Sequence, residues 1–164
     1  MTELLPQNQI DSFKAKAAAI AHPHELIVDL LRAIQSHYGW VPDDGVLLTA
    51  ATLGVLPIEV EEVATFYDKI FRCAVGRRVI HVCDSICCWS TGAEMITEHL
   101  QTSLGIRFGA TTADGVFTLL PSCCLGACGD APAMMIGLTT HGQLTPAKID
   151  AILEKERAAL AAED

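Results

Sequence analysis

Four cysteines in two closely spaced pairs are the residues of this sequence best suited to chemistry. Four residues separate Cys83 from Cys88, and three residues separate Cys124 from Cys128. Two short segments that each offer two thiolates, once a fold brings them together, form a cage of four sulfurs. The pattern therefore predicts a site for a metal ion or an iron–sulfur cluster.

Spare thiols leave the choice of ligands open on spacing alone. Cys87 directly precedes Cys88, and Cys123 directly precedes Cys124. A single free cysteine is often a small buried hydrophobe. Two spaced pairs in glycine-containing segments are not expected of plain core residues, so we favour a ligand role for four of these thiols.

Two other kinds of site compete with an iron–sulfur cluster. Structural zinc also takes four thiolates, with spacings within or near those seen here. A dithiol redox site usually has two residues between its cysteines, and neither pair does. The segment after Cys124 contains Gly126 and Gly129. Their backbone freedom would let amide N–H groups turn toward the sulfurs and tune a charged site, which argues against a plain core role.

Composition bounds the remaining possibilities. The chain has 164 residues, 51% of them hydrophobic, which is enough for an apolar core. Its net charge is -9 and its basic residues cluster only at Arg77 and Arg78, so nucleic-acid binding is disfavoured. No apolar run approaches the 18 or so residues that span a bilayer, so we expect no direct membrane insertion. No targeting segment is visible, so we expect a cytoplasmic protein in which the seven cysteines are ligands or buried thiols, not disulfides.

The first part of the chain predicts a small helical bundle. Apolar residues at three- and four-residue spacing predict a helix that ends at Gly39. Asp43 or Asp44 is expected to cap the next helix, and Pro57 is expected to open a third. Short connections between helices are typical of a bundle.

After Gly76 the sequence predicts strands that alternate with helices. We expect strands over 79–82, 116–120 and 133–136, a helix over 94–104, and a last helix that Thr145 caps. This alternation predicts a small α/β layer structure with both cysteine pairs in loops at strand ends. None of the six histidines has metal-ligand spacing to a cysteine pair, so each is expected at the surface or as a cap. No phosphate-binding glycine loop is present, so we expect no nucleotide site on this chain.

Three segments together resemble the thioredoxin-like [2Fe–2S] ferredoxin family. They are residues 63–67 (Val-Ala-Thr-Phe-Tyr), residues 83–88, and residues 124–128 with Pro132 beyond them. The resemblance spans roughly residues 25–155. In this family, the first pair of ligand cysteines has four residues between its members, and the second pair has three. The resemblance therefore implies four ligands: Cys83, Cys88, Cys124 and Cys128. It implies a structural role for the others: Cys73, Cys87 and Cys123.

The resemblance also implies an architecture and a function. The expected fold is α/β, with an N-terminal helical bundle over residues 1–75 and a thioredoxin-like [2Fe–2S] domain over residues 76–164. Residues 117–126 resemble the members of the family in bacterial respiratory complex I, the NADH:quinone oxidoreductase. The implied role is an electron-transfer subunit that exchanges one electron with FMN on a neighbouring NADH-oxidising subunit. The implied partners are that FMN- and NADH-binding subunit and the iron–sulfur subunit of the peripheral arm, on the cytoplasmic side of the inner membrane.

Several alternatives stay open beside this interpretation. The equivalent subunit of a soluble NAD-linked formate dehydrogenase or hydrogenase would share the cysteine pattern. A zinc-stabilised adaptor without redox function, or a thioredoxin-like scaffold with dispensable cysteines, are more distant possibilities. Cys87 is a candidate to replace Cys88 as a ligand if Cys88 is lost. Phe66 and Tyr67 are expected in the core in preference to an interface.

Overall fold

The computed structural model describes residues 3–163, which fall into two compact units. The first unit extends to Ala74 and the second begins at Val75. In the described part of the chain, no helix is both long enough and apolar enough to cross a membrane.

The first unit is helical. Its elements are α1 (Gln7–Ala19), a 3₁₀ turn (Pro23–Leu26), α2 (Ile27–Tyr38), α3 (Asp43–Leu53) and α4 (Pro57–Phe66). Gly39 ends α2 in the left-handed region, with φ of +99°, and its amide donates to the Gln35 carbonyl over 2.8 Å. Because an L side chain is strained at such angles, glycine is the residue expected at this helix end.

The core of the first unit is made by the inward faces of these helices. Fully buried residues come from α2 and α4, with Val41 between helices, and include Leu30, Leu31, Ile34, Val41 and Val60. This is the apolar stripe that the spacing in α2 predicts.

Two expectations for the first unit are wrong. Neither Asp43 nor Asp44 caps α3, because the helix already includes both and Pro42 occupies the cap position. Asp43 instead accepts a hydrogen bond from Arg72 over 2.8 Å. Phe66 and Tyr67 are not core residues: their exposed fractions are 81% and 47%.

The second unit is a four-stranded sheet with helices. Its elements are β1 (Arg78–Cys83), α5 (Ile86–Ser90), α6 (Ala93–Leu104), β2 (Phe117–Ser122), a 3₁₀ turn (Cys128–Asp130), β3 (Met134–Ile136), β4 (Thr139–His141) and α7 (Pro146–Glu163). The strand order is β2-β1-β3-β4. β1 and β2 are parallel, whereas β3 is antiparallel to both β1 and β4.

A second core lies between this sheet and its helices. Ile80, Leu119 and Met134 from the strands are completely buried with Ile96 of α6 and Ile149 of α7. Each such side chain stabilises the fold by about 1.5–3 kcal/mol relative to exposure. The sheet is therefore a rigid base for the segments that leave its edge.

The sequence predicts most elements of this unit and misses three. The three strands and the two longer helices are confirmed, and the Thr145 hydroxyl accepts the Lys148 amide over 3.2 Å as the predicted cap of α7. α5, β4 and the 3₁₀ turn are too short for periodicity to reveal. The prediction that every histidine lies at the surface or caps a helix is wrong for His81, which lies within β1 with 3% of its surface exposed.

Candidate metal centre

One edge of the sheet brings the two cysteine pairs together. Cys83 is the last residue of β1 and lies opposite Ser122, the last residue of β2. Because β1 and β2 are parallel, both chains leave the sheet at the same edge. Cys124, two residues beyond the end of β2, therefore lies at the same edge of the sheet as Cys83. The expectation that all four cysteines lie in loops is wrong for Cys83, which belongs to a strand, and for Cys88, which belongs to α5.

Cys83 and Cys88 form an inner, buried pair. Each has 2% of its surface exposed, and both pack with Ala93 and Ala133. Burial, and then a hydrogen bond with Cys83, raises the pKa of Cys88 to about 11, with a smaller contribution from the charge of Cys124. This thiol is thus protonated at neutral pH, and metal binding has to displace its proton.

Cys124 and Cys128 form an outer, exposed pair. Their sulfurs are 3.5 Å apart. Two thiolates on one tetrahedral metal with bonds of about 2.3 Å would be about 3.8 Å apart, so this pair already has nearly the spacing of ligands that share one metal. The hydrogen bond with Cys124, followed by one with Cys87, raises the pKa of Cys128 to about 11.

A backbone amide supports the outer pair. The Gly126 amide donates a hydrogen bond to the Cys124 sulfur over 3.4 Å. This bond, and then the Cys128 thiol, lower the pKa of Cys124. Gly126 reaches this position with φ of +78°, as the sequence predicts for one of the two glycines of this segment. Gly129 is not among the residues with positive φ, so the prediction of special backbone freedom is wrong there.

Three cysteines lie outside the two pairs, and one of them is near the outer pair. Cys87 is exposed on α5 and lies near enough to Cys128 to contribute, after Cys124, to the raised pKa of Cys128. Cys73 and Cys123 are also exposed, so none of the three belongs to the apolar core. In the described part of the chain all seven cysteines are free thiols. The expectation that those outside the ligand set are buried is wrong, because Cys73, Cys87 and Cys123 are exposed. The structure therefore places a fifth thiol, Cys87, at the outer pair.

Trp89 lies beside the inner pair in sequence but is turned toward solvent. Its exposed fraction is 56%, and its indole N–H donates to Glu94 over 3.1 Å. This bond joins the end of α5 to the start of α6.

The chain after Cys128 is held by a neighbouring segment. The Asp130 carbonyl accepts the Gln143 amide over 2.5 Å, and its carboxylate accepts the Gln143 side chain over 3.2 Å. The Leu144 amide donates to the Pro132 carbonyl over 3.1 Å. The segment that leads into α7 thus fixes the end of the second cysteine loop.

The thiols stand as two pairs and not as a closed cage. Among residues 3–163, no three side chains of histidine, cysteine, aspartate or glutamate converge closely enough to hold a metal ion. The donor set nevertheless fits an iron–sulfur cluster: thiolates are its ligands, and an N–H···S bond of the kind that tunes such clusters is in place.

Comparison with known proteins identifies the family. Residues 11–157 match the family model described as thioredoxin-like [2Fe-2S] ferredoxin. The chain belongs to this family. The match includes both cysteine pairs and confirms the α/β fold that the sequence predicts.

Subunits of NADH-quinone oxidoreductases are similar to almost the whole chain. The NADH-quinone oxidoreductase subunit designated E from Salmonella typhimurium is 45% identical over 159 residues, which cover 91% of this chain and 96% of the relative. The subunit with the same name from Pseudomonas aeruginosa is 42% identical over 151 residues, covering 92% and 91%. A solved NAD+-reducing [NiFe]-hydrogenase in the air-oxidised state matches with a TM-score of 0.67 and 27% identity. That match covers 79% of this chain but only 23% of the hydrogenase chain.

Proposed function

We propose that this chain is the electron-transfer subunit of an NADH:quinone oxidoreductase, the respiratory complex I. The observation that carries the proposal is its 45% identity to the Salmonella typhimurium subunit of that enzyme over 96% of the relative's length. The two thiol pairs at one sheet edge supply the ligands that such a role needs.

The four ligands are one cysteine pair from each segment: Cys83, Cys88, Cys124 and Cys128. When bound, a [2Fe–2S] cluster supplies one-electron redox chemistry. The inner pair is held by the apolar packing of Ala93 and Ala133, which excludes water from its side. The outer pair is exposed, so electrons exchange with a partner through that side.

The partner is a neighbouring subunit that binds FMN and oxidises NADH. The chain has no phosphate-binding glycine loop of its own, so hydride from NADH has to be accepted elsewhere. The second partner is the iron–sulfur subunit of the peripheral arm. These subunits would hold the chain on the cytoplasmic side of the inner membrane.

A second candidate is favoured by the structural likeness to the NAD+-reducing hydrogenase. In that case the chain would be the equivalent subunit of a soluble NAD-linked hydrogenase or formate dehydrogenase. The lower identity of 27% makes it the less favoured candidate. The subunits that co-purify with the native chain separate the two: membrane subunits for the first, and a soluble nickel–iron or molybdenum subunit for the second.

The experiment that tests the proposal is anaerobic reduction by NADH, followed by electron paramagnetic resonance. The chain alone should give a reduced-cluster signal with dithionite and none with NADH. After addition of the FMN-bearing subunit, NADH should give the same signal as dithionite. Reduction of the isolated chain by NADH, or no reduction with the flavoprotein present, would overturn the proposal.

A further inference from the structure

We propose that Thr91 is a positioning residue for the buried ligand Cys88. This inference rests on the proposed function, because it concerns how firmly the chain holds its cluster. Thr91 follows the short helix α5 and contacts the backbone of the two cysteines in that helix.

The Thr91 hydroxyl bridges two successive carbonyl groups. Its oxygen lies 2.8 Å from the Cys87 carbonyl oxygen and 3.1 Å from that of Cys88. The Thr91 amide also donates to the Cys88 carbonyl, over 3.2 Å. Ser90 adds a hydroxyl bond to the Cys87 carbonyl over 3.0 Å. The last carbonyls of a helix have no partner within the helix, and here two side chains supply those partners.

These bonds matter because α5 has only five residues. An isolated helix of this length is not stable in water, so its geometry depends on the contacts at its ends. At its start, the Trp89 amide donates to the Ser85 carbonyl over 2.8 Å. At its end, the hydroxyls of Ser90 and Thr91 fix the peptide planes that carry Cys87 and Cys88.

The position of Cys88 follows from that backbone. Its side chain is buried and packs with Ala93 and Ala133. Because close-packed interiors leave little free space around such a side chain, the position of the sulfur depends on the position of α5. Thr91 itself is exposed, so water could satisfy its hydroxyl equally well. Its bonds to the two cysteine carbonyls consequently orient the ligand segment and do not serve to satisfy a buried polar group.

The test compares cluster release from purified, cluster-loaded variants in the presence of an iron chelator. Outer-shell partners of metal ligands typically contribute about 10–100-fold to metal affinity. We expect Thr91→Val to release iron about tenfold faster than the unmodified chain, with shifted g-values and reduction potential. Thr91→Ser keeps the hydroxyl and should restore the original rate, g-values and potential.

Thr102→Val is the matched control. The Thr102 hydroxyl donates to the Glu98 carbonyl over 2.8 Å in α6, four residues back as in the Thr91–Cys87 bond, but away from the cysteines. This variant should release iron at the original rate. Ser90→Ala removes only the bond to the Cys87 carbonyl, so its rate of iron release should lie between those of Thr91→Val and the unmodified chain. This variant provides the test if Thr91→Val does not fold.

Three results would overturn the inference. The first is release of iron from Thr91→Val at the same rate as from Thr102→Val. The second is release from Thr91→Ser as fast as from Thr91→Val. The third is faster release from Thr91→Val with unchanged g-values and an unchanged reduction potential. Failure of the proposed function is distinguishable, because it is seen in the unmodified chain: a loaded chain that the flavoprotein cannot reduce overturns the proposed function and leaves the comparison of the Thr91 variants intact.

Discussion

The amide of Gly126 donates a hydrogen bond to the sulfur of Cys124, over 3.4 Å. The bond requires a φ of +78° at Gly126, in the left-handed region that other residues avoid. It lowers the pKa of Cys124, which favours the thiolate form that a metal or cluster binds. An N–H···S bond of this kind also stabilises the reduced, more negative state of an iron–sulfur cluster.

Gly126→Ala should lower both the stability and the reduction potential. A side chain in the left-handed region costs about 1–2 kcal/mol, and relief of that strain would turn the amide away from Cys124. Redox potentiometry of the loaded protein measures the second effect. Gly105→Ala is the control: Gly105 also has positive φ, +67°, with open space around it, but lies at the end of α6. It should lose similar stability with no change in potential. An unchanged potential in Gly126→Ala would show that the amide does not tune the site.

Cys87 should replace Cys88 when that ligand is removed. Cys87 lies near Cys128, whose pKa it helps to raise, and it is adjacent to Cys88 on α5. We expect Cys88→Ser to retain part of its iron and sulfide with an altered resonance signal, because the exposed thiol then completes the ligand set. Iron and sulfide assays on the purified variants measure this.

The control variants for that prediction are Cys87→Ser alone and the double variant. Cys87→Ser alone should keep its full iron content, whereas the double variant should lose the cluster. Equal loss of iron from Cys88→Ser and from the double variant would contradict ligand replacement.

Local signals in the sequence predict much of the fold. Gly39 ends α2 and Thr145 caps α7 as predicted, because each feature depends on residues only a few positions away. The sequence places Phe66 and Tyr67 in the core, but both are exposed. A helical pattern alone cannot tell an apolar residue that faces the core from one at the end of a helix, beyond the last packed turn.

The candidate site could be predicted in part. The spacing predicts two cysteine segments, the family resemblance implies which thiols in them are ligands, and the residue type of Gly126 predicts its role. The position of Cys87 near Cys128 and the bonds of Thr91 to α5 could not be predicted, because α5 is too short to show a periodic pattern. Such contacts depend on how β1 and β2 leave the sheet together.

Acid should destabilise the second unit through His141. This residue lies on β4, and in the described part of the chain nothing hydrogen-bonds to its buried Nε2. Burial lowers the pKa of His141 below its ordinary value; Glu156 opposes this effect, whereas Lys148 and Lys155 add to it. The folded state therefore favours the neutral ring. Its stability is fully present above the ordinary pKa, about 6.5, and falls as the pH drops below that value.

Denaturant unfolding at pH 7.5 and pH 5.5 measures this dependence. His141→Gln should lose less stability between the two pH values than the unmodified chain does. Thr140→Ala, an exposed position on the same strand, changes no titrating group and should keep the original dependence. An identical loss in His141→Gln would assign the acid sensitivity to other groups.

We propose that the two cysteine pairs at one sheet edge hold a redox cluster. Electron paramagnetic resonance of the purified chain after dithionite reduction tests it most directly, with iron, sulfide and zinc assayed on the same sample. We expect an S = 1/2 signal with two irons and two sulfides per chain. A colourless protein with one zinc, no acid-labile sulfide and no signal would contradict it and make the cage structural.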